Sequence, residues 1–446
     1  MIPLLFDLFY LCVLILLSPW LILRALRTGR YRRDLTAKLL GSRSVANPEG
    51  KPTVWFHGVS VGEIHLLGVV VAAFGKRHPD WHVVVSSTTD TGLIEARAKF
   101  PNCTVVPFPF DFSWACAATL AAVDPKLVVL AESELWPNFL GCAAKRAVPV
   151  VVINARMSPR SFRRLTRVKS LAQRFLFRNI AHFAVQSAEY AVRLSQLGVP
   201  AGRLVVTGSV KYDGASGDRD TPHGRELRSW LNLPVGSIVW VAGSTHAPEE
   251  EIVLGTFARL RARFPQLRLI LVPRHPDRFV EVASLVERSG QPFVRRSQSN
   301  AALVNDPTVI LLDTVGELGA AWGLADVGYT GGSLDGTRGG QSMIEPAGYG
   351  VPTVFGPHIW NFRDAARRLI EAGGATMIRT PEELETVLAK WIDEPELRQQ
   401  MGAKARRLVG EQQGATERTL DVLDAILTES SQTLHTTHAG KNGSHF

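Results

Sequence analysis

In this 446-residue chain, several carboxylate residues follow apolar runs, and their position makes them candidates for catalysis. Glu63 stands where a strand-like run gives way to a helical pattern, so its carboxylate is a candidate general base. The spacing of Ser60 and Glu63 also fits a capping box, in which both side chains bond free amides of the first helical turn. The residues alone leave both interpretations open.

Two further acids and a lysine belong to the first half of the chain. Glu132 and Glu134 follow another apolar run, just before Trp136, and one of them could polarise the base or balance charge in a transition state. Solvated loop acids are the competing interpretation, and the pattern does not choose between the two residues. Lys211 lies at the end of the same half and is a candidate contact for an anion.

The second half carries candidates for binding a nucleotide. Arg274 follows an apolar run that ends at Pro273, and a guanidinium suits phosphate. Residues 313–318 end another run and open a helix, whose first amides could receive an anion. Residues 330–333 and 339–346 supply glycines that permit close backbone approach, and Glu345 could accept both hydroxyls of a ribose. The recurrence of such loops indicates nucleotide binding in this half.

We expect two parallel β-sheets to hold these candidate residues at the ends of their strands. Short apolar runs alternate with helical patterns, at 53–57, 81–86, 104–107, 126–131, 149–154, 182–186 and 203–207, and again at 237–242, 268–273, 308–312, 327–330 and 352–355. This alternation predicts two Rossmann-like α/β domains, with ligands beyond the carboxyl ends of the strands.

The domain boundaries follow from composition. Residues 1–23 are almost uninterruptedly apolar and predict a membrane-spanning anchor, and residues 24–50 form a basic juxtamembrane segment that includes Arg24, Arg27, Arg30, Arg32 and Arg33. Basic residues predict that the body of the chain faces the cytoplasm. Residues 51–214 and 215–428 are the two predicted domains, joined by a polar, glycine-rich linker, and 429–446 a disordered tail.

The net charge of +9 favours an anionic membrane surface over nucleic acid, because the basic residues lack interleaved aromatics. Metal-ligand spacing is also missing, since the histidines are dispersed. Asp218-Arg219-Asp220 has the form of a metal-nucleotide motif but lies in the polar linker, with no strand before it. We therefore predict neither a metal nor another cofactor.

The ordered motifs resemble those of the 3-deoxy-D-manno-octulosonic acid (Kdo) transferases, inverting glycosyltransferases with the GT-B fold. The resemblance covers roughly residues 1–420 and rests on residues 55–63, 86–92, 132–138, 154–158, 208–213, 243–246, 273–276 and 355–358. It implies two Rossmann-like domains facing a cleft. It also implies a first domain for the acceptor and a second for the nucleotide sugar.

The resemblance also implies roles for residues. Glu63 corresponds to the general base, and Lys211 with an acid of the Glu132/Glu134 pair helps stabilise the transition state. The residues that fall where the family binds the CMP part of the donor are Pro273, Arg274, Val315, Gly316, Glu317, Ser342, Met343, Ile344 and Glu345.

One segment departs from the family. Where the family commonly has Gly-Gly-His-Asn, this chain has Gly339-Gly340-Gln341-Ser342. Glutamine donates and accepts hydrogen bonds but carries no charge, and serine reaches less far than asparagine. Arg338 beside this segment is a candidate for compensation.

The expected activity is transfer of Kdo from CMP-Kdo to a lipid A precursor, lipid IVA, in lipopolysaccharide inner-core synthesis at the cytoplasmic side of the inner membrane. Two alternatives differ from it. One is a membrane-associated GT-B enzyme that uses a UDP-sugar, which competition between CMP and UDP would separate. The other is a non-catalytic, membrane-tethered nucleotide-binding module, which would have no need for Glu63 and the two further acids.

Overall fold

The structure is a computed structural model, and it describes residues 2–28, 34–132, 134–298 and 308–439. The chain divides into two compact units. Unit 1 comprises Met1–Asp213 and Gln413–Phe446, and unit 2 comprises Gly214–Gln412.

Within the described ranges the strands are β1 (Thr53–His57), β2 (His82–Ser87), β3 (Thr104–Pro107), β4 (Pro125–Ala131), β5 (Val150–Ala155), β6 (His182–Val185), β7 (Leu204–Val206), β8 (Ile238–Thr245), β9 (Leu267–Pro273), β10 (Phe293–Arg295), β11 (Val309–Leu311), β12 (Val327–Thr330), β13 (Thr353–Phe355) and β14 (Ala375–Met377).

The helices are α1 (Ile2–Thr28), α2 (Leu35–Leu40), α3 (Val61–Arg77), α4 (Asp90–Lys99), α5 (Ser113–Val123), α6 (Pro137–Lys145), α7 (Pro159–Arg167), α8 (Lys169–Phe175), α9 (Ala188–Gln196), α10 (Pro222–Leu231), α11 (Glu249–Arg263), α12 (Phe279–Arg288), α13 (Leu318–Leu324), α14 (Ile344–Gly348), α15 (Arg363–Glu371), α16 (Pro381–Asp393), α17 (Pro395–Gln412) and α18 (Ala415–Ala439).

Unit 1 is built on a seven-stranded parallel sheet in the order β3-β2-β1-β4-β5-β6-β7. Successive residues of β1 enter different cores, since Trp55 packs in one cluster while Val54 and Phe56 pack in another. Helices therefore cover both faces, which is why the strands are continuous apolar runs. The strand order reverses between β1 and β4, and such a switch point is where open α/β sheets bind ligands.

Unit 2 has a second seven-stranded parallel sheet, in the order β10-β11-β9-β8-β12-β13-β14. Its two faces are likewise covered, with Trp240 in one core and Val239 and Val241 in the other. Here the order reverses between β8 and β12. The loops that follow these two strands are thus the expected ligand-binding edge of unit 2.

The last helix changes the predicted domain limits. Residues up to 428 were expected in the second domain, but the chain returns to unit 1 at Gln413. The reason is apolar burial, because Leu420, Leu423 and Ile426 of α18 pack in the same core as α3. The tail predicted to be disordered from residue 429 is helical as far as Ala439, and residues 440–446 lie outside the described residues.

The N-terminal helix α1 is attached to unit 1 by a buried carboxylate. Asp7 accepts hydrogen bonds from the amide and hydroxyl of Ser113, at 2.8 and 2.5 Å, and from the Asn138 side chain at 3.0 Å. Among the described residues, no helix combines the length and apolarity that crossing a membrane requires. Of the predicted basic cluster, Arg30, Arg32 and Arg33 lie outside the described residues.

Candidate active site

Glu63 lies at the start of α3, directly beyond the carboxyl end of β1. Ser60 is the N-cap residue, and its hydroxyl accepts a hydrogen bond from the Glu63 amide at 3.4 Å. The Glu63 carboxylate in turn accepts one from the Val59 amide at 2.5 Å. The capping arrangement considered from the sequence is therefore formed, and it fixes the carboxylate at the switch point of unit 1.

The same carboxylate is suited to proton transfer near neutral pH. The pKa of Glu63 is raised to about 7, mainly by burial. The negative charges of Glu132 and Glu134 contribute to this rise, and the hydrogen bond from Val59 opposes it. A base whose pKa lies near the operating pH combines a useful ionised fraction with real proton affinity. Capping and catalysis are thus compatible uses of one side chain.

Glu132 is the buried acid of the predicted pair. It follows β4 with a left-handed backbone, at φ 59°, which is uncommon for a residue other than glycine and is often found at functional sites. One carboxylate oxygen lies 2.8 Å from Arg156 Nη2, and the other lies 3.2 Å from Lys211 Nζ. Glu132 therefore holds two cations beside the base.

Glu134 has a different environment. It is half-buried, and burial, followed by the charge of Glu132, raises the pKa of its carboxyl group. The structure thus separates the two acids that the sequence left equivalent. The charges of both raise the pKa of Glu63, Glu132 more than Glu134, and Glu132 in addition pairs with Arg156 and Lys211.

Asn154 and Arg156 are residues of this site that sequence reasoning did not select as functional. Asn154 has φ 51°, and its side-chain oxygen accepts a hydrogen bond from the Val210 amide at 3.2 Å. This bond holds the short 3-10 turn Val210–Tyr212, which carries Lys211. A polar residue at the end of the apolar run at 149–154 was the signal that could have identified Asn154.

In unit 2, Arg274 and Glu345 form the polar part of the predicted donor site. Arg274 is exposed beyond β9, and its amide donates to the Thr245 carbonyl at 3.0 Å. Burial raises the pKa of Glu345, and the positive charge of Arg274 partly offsets this rise. The two side chains therefore lie close enough to interact electrostatically.

The other predicted donor residues differ in accessibility. Pro273, Met343 and Ile344 are buried, so a ligand would meet their backbone rather than their side chains, whereas Ser342 is half-buried. Val315 is 79% exposed, and Gly316 has φ 93°, a conformation that favours glycine. Glu317 is buried in an ion pair with Arg296 at 2.8 Å, so its side chain is already used within the protein.

Glu249 is a residue that the sequence did not single out, because three successive glutamates at a helix start are ordinary. Its buried carboxylate accepts hydrogen bonds from the amides of His246, Gly332, Ser333 and Leu334 and from the Tyr329 hydroxyl, at 2.7 to 3.1 Å. The four amides belong to the loops after β8 and β12, and Tyr329 lies in β12 itself. Glu249 therefore ties together the two loops at the switch point of unit 2.

Gln341 stands where the resembling family has histidine, and it contacts a histidine instead. Its side-chain nitrogen lies 3.4 Å from His246 Nε2. Burial, reinforced by the charge of Arg338 and other neighbours, lowers the pKa of His246 to about 4, so the ring is neutral at pH 7. A neutral ring nitrogen can accept the amide hydrogen of Gln341. Within the described part of the chain, no cluster of three or more His, Cys, Asp or Glu side chains could hold a metal ion.

Comparison with known proteins identifies the family. Residues 27–214 match the model of the 3-deoxy-D-manno-octulosonic-acid transferase (kdotransferase) family. The chain is 32% identical over 429 residues to the 3-deoxy-D-manno-octulosonic acid transferase of Haemophilus influenzae. The aligned region covers 94% of this chain and 98% of that protein. It is 33% identical over 419 residues to the transferase of that name from Bordetella pertussis, covering 91% of this chain and 95% of the relative.

Solved structures show the same architecture. The UDP-GlcNAc 2-epimerase of Neisseria meningitidis is 12% identical and superposes with a TM-score of 0.56, covering 83% of this chain and 99% of the epimerase. Together with the two parallel sheets, this confirms the prediction of a GT-B fold with two Rossmann-like units. From its full-length relatives, the chain belongs to the 3-deoxy-D-manno-octulosonic acid transferase family and is a glycosyltransferase.

Proposed function

We propose that this protein transfers Kdo from CMP-Kdo to a lipid A precursor, lipid IVA, in lipopolysaccharide inner-core synthesis, with inversion at the anomeric carbon. Membership of the family supports the activity. The observation that carries the mechanism is the position of Glu63. Its carboxyl group has a pKa raised to about 7 and lies at the switch point of a parallel sheet.

In the proposed reaction Glu63 removes the proton from a sugar hydroxyl of the acceptor. The hydroxyl oxygen forms a bond to the anomeric carbon of Kdo, and the bond from that carbon to the CMP phosphate breaks. Attack from the face opposite CMP inverts the configuration. Lys211, held by Glu132 at 3.2 Å, stabilises negative charge that develops in the transition state.

Unit 2 is the proposed donor-binding part. Arg274 binds phosphate of the CMP group through its guanidinium, and Glu345 accepts hydroxyl hydrogens of the ribose. Backbone groups of Pro273, of Val315 to Glu317 and of Ser342 to Ile344 complete the contacts. Burial of Met343 and Ile344 supports this division between side-chain and backbone contacts.

A pair of variants tests the assignment. Glu63→Gln keeps an oxygen that can accept the Val59 hydrogen bond, but the amide cannot take up a proton. We expect Glu63→Gln and Glu63→Ala to abolish Kdo transfer while CMP still binds. Arg274→Gln is the matched change in unit 2, and it should weaken CMP binding by about tenfold because a charge-assisted contact is lost.

Two measurements decide the outcome. Product analysis by mass spectrometry with CMP-Kdo and lipid IVA reports transfer, and retained turnover in Glu63→Gln would refute the role of Glu63. Competition titration reports the nucleotide, because CMP should displace bound CMP-Kdo far better than UDP does. Stronger displacement by UDP would favour a UDP-sugar donor instead.

We further propose that the protein works at the cytoplasmic side of the inner membrane, with residues 1–23 as its single-pass anchor. Helix α1 exposes Leu4, Leu5, Phe9, Ile15 and Leu16, each by more than half of its surface. Such a dense apolar surface is unusual in contact with water and favours lipid. The net charge of +9 adds attraction to anionic lipid headgroups.

Flotation with vesicles that contain phosphatidylglycerol tests this proposal. Changing Leu5 and Leu16 to Asp should lower the membrane-bound fraction by about tenfold, since each apolar side chain loses its burial in lipid. Val235→Asp is the control, because Val235 is fully exposed in unit 2. Equal binding of the double variant and the wild type would contradict a role for α1.

A further inference from the structure

An apolar cavity lies in unit 1 next to Glu132, and the proposed catalytic steps do not use it. Its volume is about 280 Å³. Side chains from β5, β6 and α9 and from the segments between them form its floor, namely Val152, Met157, Leu176, Phe183 and Leu194, and Leu165 of α7 lies opposite them. All six are buried or half-buried, so the floor offers no polar partner from these side chains.

The rim of the cavity is polar and positively charged. Arg156, Ser161 and Arg164 line the cavity but are exposed, so they stand at its mouth. Glu132 also lines it and is paired with Arg156 at 2.8 Å. The cavity is therefore lined by apolar side chains on its inner side, whereas its rim presents guanidinium groups beside the candidate active site.

Helix α7 lines this cavity and packs on the core only through the partly buried Phe162 and Leu165. None of its nine residues is buried. Leu165 of α7 faces the floor, and Arg164 stands at the rim. A helix with so little buried surface opens at a small cost in free energy, which would allow a long ligand to enter.

The size and polarity of the cavity limit its occupant. Sites for small-molecule ligands usually measure roughly 300–1,000 Å³, so this cavity is near the lower end of that range and has room for one segment of a large lipid rather than for the whole molecule. A sugar or nucleotide would leave polar groups unpaired against the apolar floor, which is unfavourable. A hydrocarbon chain has no polar groups to pair, and a nearby negative group on the same molecule would complement the arginines.

We propose that the cavity binds one acyl chain of the lipid acceptor, with an anionic group of that lipid against Arg164. The identity of the acceptor rests on the proposed function. The charge of Glu132 acts on Glu63, so an acyl chain that enters beside Glu132 brings its sugar close to the base. Binding of the chain would then orient the reacting hydroxyl.

Titration calorimetry of the full-length protein with dodecyl phosphate, below its micelle concentration, tests the site without requiring transfer. Leu165→Trp fills the cavity and should weaken binding by about tenfold, because methylene groups of the ligand lose their burial. Leu171→Trp is the matched control, since Leu171 is exposed on the neighbouring helix α8 and does not line the cavity. Equal affinities in the wild type and Leu165→Trp would overturn the proposal.

The rim is tested separately. Arg164→Gln should weaken binding of dodecyl phosphate by about fivefold but leave that of the neutral dodecyl maltoside within about twofold of the wild type. Inorganic phosphate should bind far more weakly than dodecyl phosphate. Tight binding of inorganic phosphate would show a simple anion site, and equal binding of both amphiphiles to the wild type would show only adventitious detergent uptake. Either result contradicts the proposal.

A second variant and a kinetic comparison guard against misfolding. Leu165→Gln places an amide over the apolar floor without added bulk and should also weaken binding, with an unchanged thermal melting curve. For both Leu165 variants, the loss of kcat/KM should be about tenfold greater with the acylated acceptor than with its deacylated form. Wild-type protein that fails to transfer Kdo would refute the proposed function, while the dodecyl phosphate titration would still decide the cavity.

Discussion

Three carboxyl groups of unit 1 interact electrostatically, yet their environments differ. Glu63 accepts a hydrogen bond from Val59 and is otherwise desolvated, Glu132 is held by Arg156 and Lys211, and Glu134 is half-buried. The charges of Glu132 and Glu134 both raise the pKa of Glu63. Proton affinity at Glu63 thus depends on its neighbours as well as on burial.

The pH dependence of transfer follows from this arrangement. Glu63 must be ionised to act as a base, so kcat/KM should rise with pH and reach half of its plateau near the pKa of about 7. Glu134→Gln removes a negative charge that raises this pKa, so the acidic limb of the profile should move to lower pH. Stopped assays across pH 5 to 9 measure both profiles. An acidic limb that Glu134→Gln leaves in place would contradict the coupling.

The sequence predicted Glu63, Glu132, Glu134 and Lys211 because each follows an apolar run. The sequence left open whether Glu132 or Glu134 supports the transition state, because the role of each depends on contacts between residues that are far apart in the chain. Arg156, for example, pairs with Glu132 across 24 positions, and no local pattern encodes such a pair.

At the scale of elements, two loops of unit 2 depend on one side chain of α11. Glu249 accepts hydrogen bonds from the loops after β8 and β12 in a fully buried position. Ser244, the last residue but one of β8, has φ 55°. A left-handed residue other than glycine is maintained only when its surroundings hold it, and Glu249 fixes the chain two residues further on, at the His246 amide.

Replacing Glu249 by Gln should therefore damage unit 2. The amide retains one accepting oxygen, but its NH₂ group would face backbone N–H donors, and each buried donor left unpaired costs about 1–3 kcal/mol. We expect a lower free energy of unfolding in urea and weaker CMP binding. Glu251→Gln is the control, because Glu251 is exposed on the same helix. A variant at Glu249 with wild-type stability would show that the network contributes little.

Most strands of both sheets were predicted within one or two residues, because each is a continuous apolar run. Strand β8 ends at Thr245, three residues beyond the predicted run, and β10 and β14 were not predicted. Both are three-residue strands at the two edges of the sheet in unit 2. The equally short β7, β11 and β13 lie in apolar runs, whereas β10 reads Phe293-Val294-Arg295 and β14 reads Ala375-Thr376-Met377. Pairing with the neighbouring strand therefore defines β10 and β14.

At the scale of the whole molecule, the chain passes between the units twice, after Asp213 and after Gln412. The two passages lie next to each other. The Asp213 carboxylate accepts hydrogen bonds from the amides of Gly414, at 2.7 Å, and Thr416. Asp213 thus caps α18, and these hydrogen bonds join the two segments of unit 1.

Removing this cap should destabilise unit 1. Asp213→Ala leaves the first amides of α18 without their partner and should lower the free energy of unfolding by about 0.5–2 kcal/mol. Asp421→Ala is the matched control on α18, since the exposed Asp421 shares the half-buried Arg77 with two other carboxylates and should matter less. Urea unfolding of the full chain measures both. A larger loss for Asp421→Ala would contradict the capping role.

The two-unit division was predictable from the polar linker near residue 215, because composition changes there. The return of α18 to unit 1 was not, since its apolar residues would suit either core. Its actual core includes Ile64, Val70 and Phe74 of α3, more than 340 positions earlier in the chain.

The return of α18 has a consequence for how the protein is made. A ribosome releases residues 214–412 as one uninterrupted stretch, whereas the core of unit 1 is completed only when Leu420, Leu423 and Ile426 emerge. Domains usually mature in the order of synthesis. Here the nascent chain can finish unit 2 first, so the unit that carries Glu63 acquires α18 only after residues 214–412 have been made.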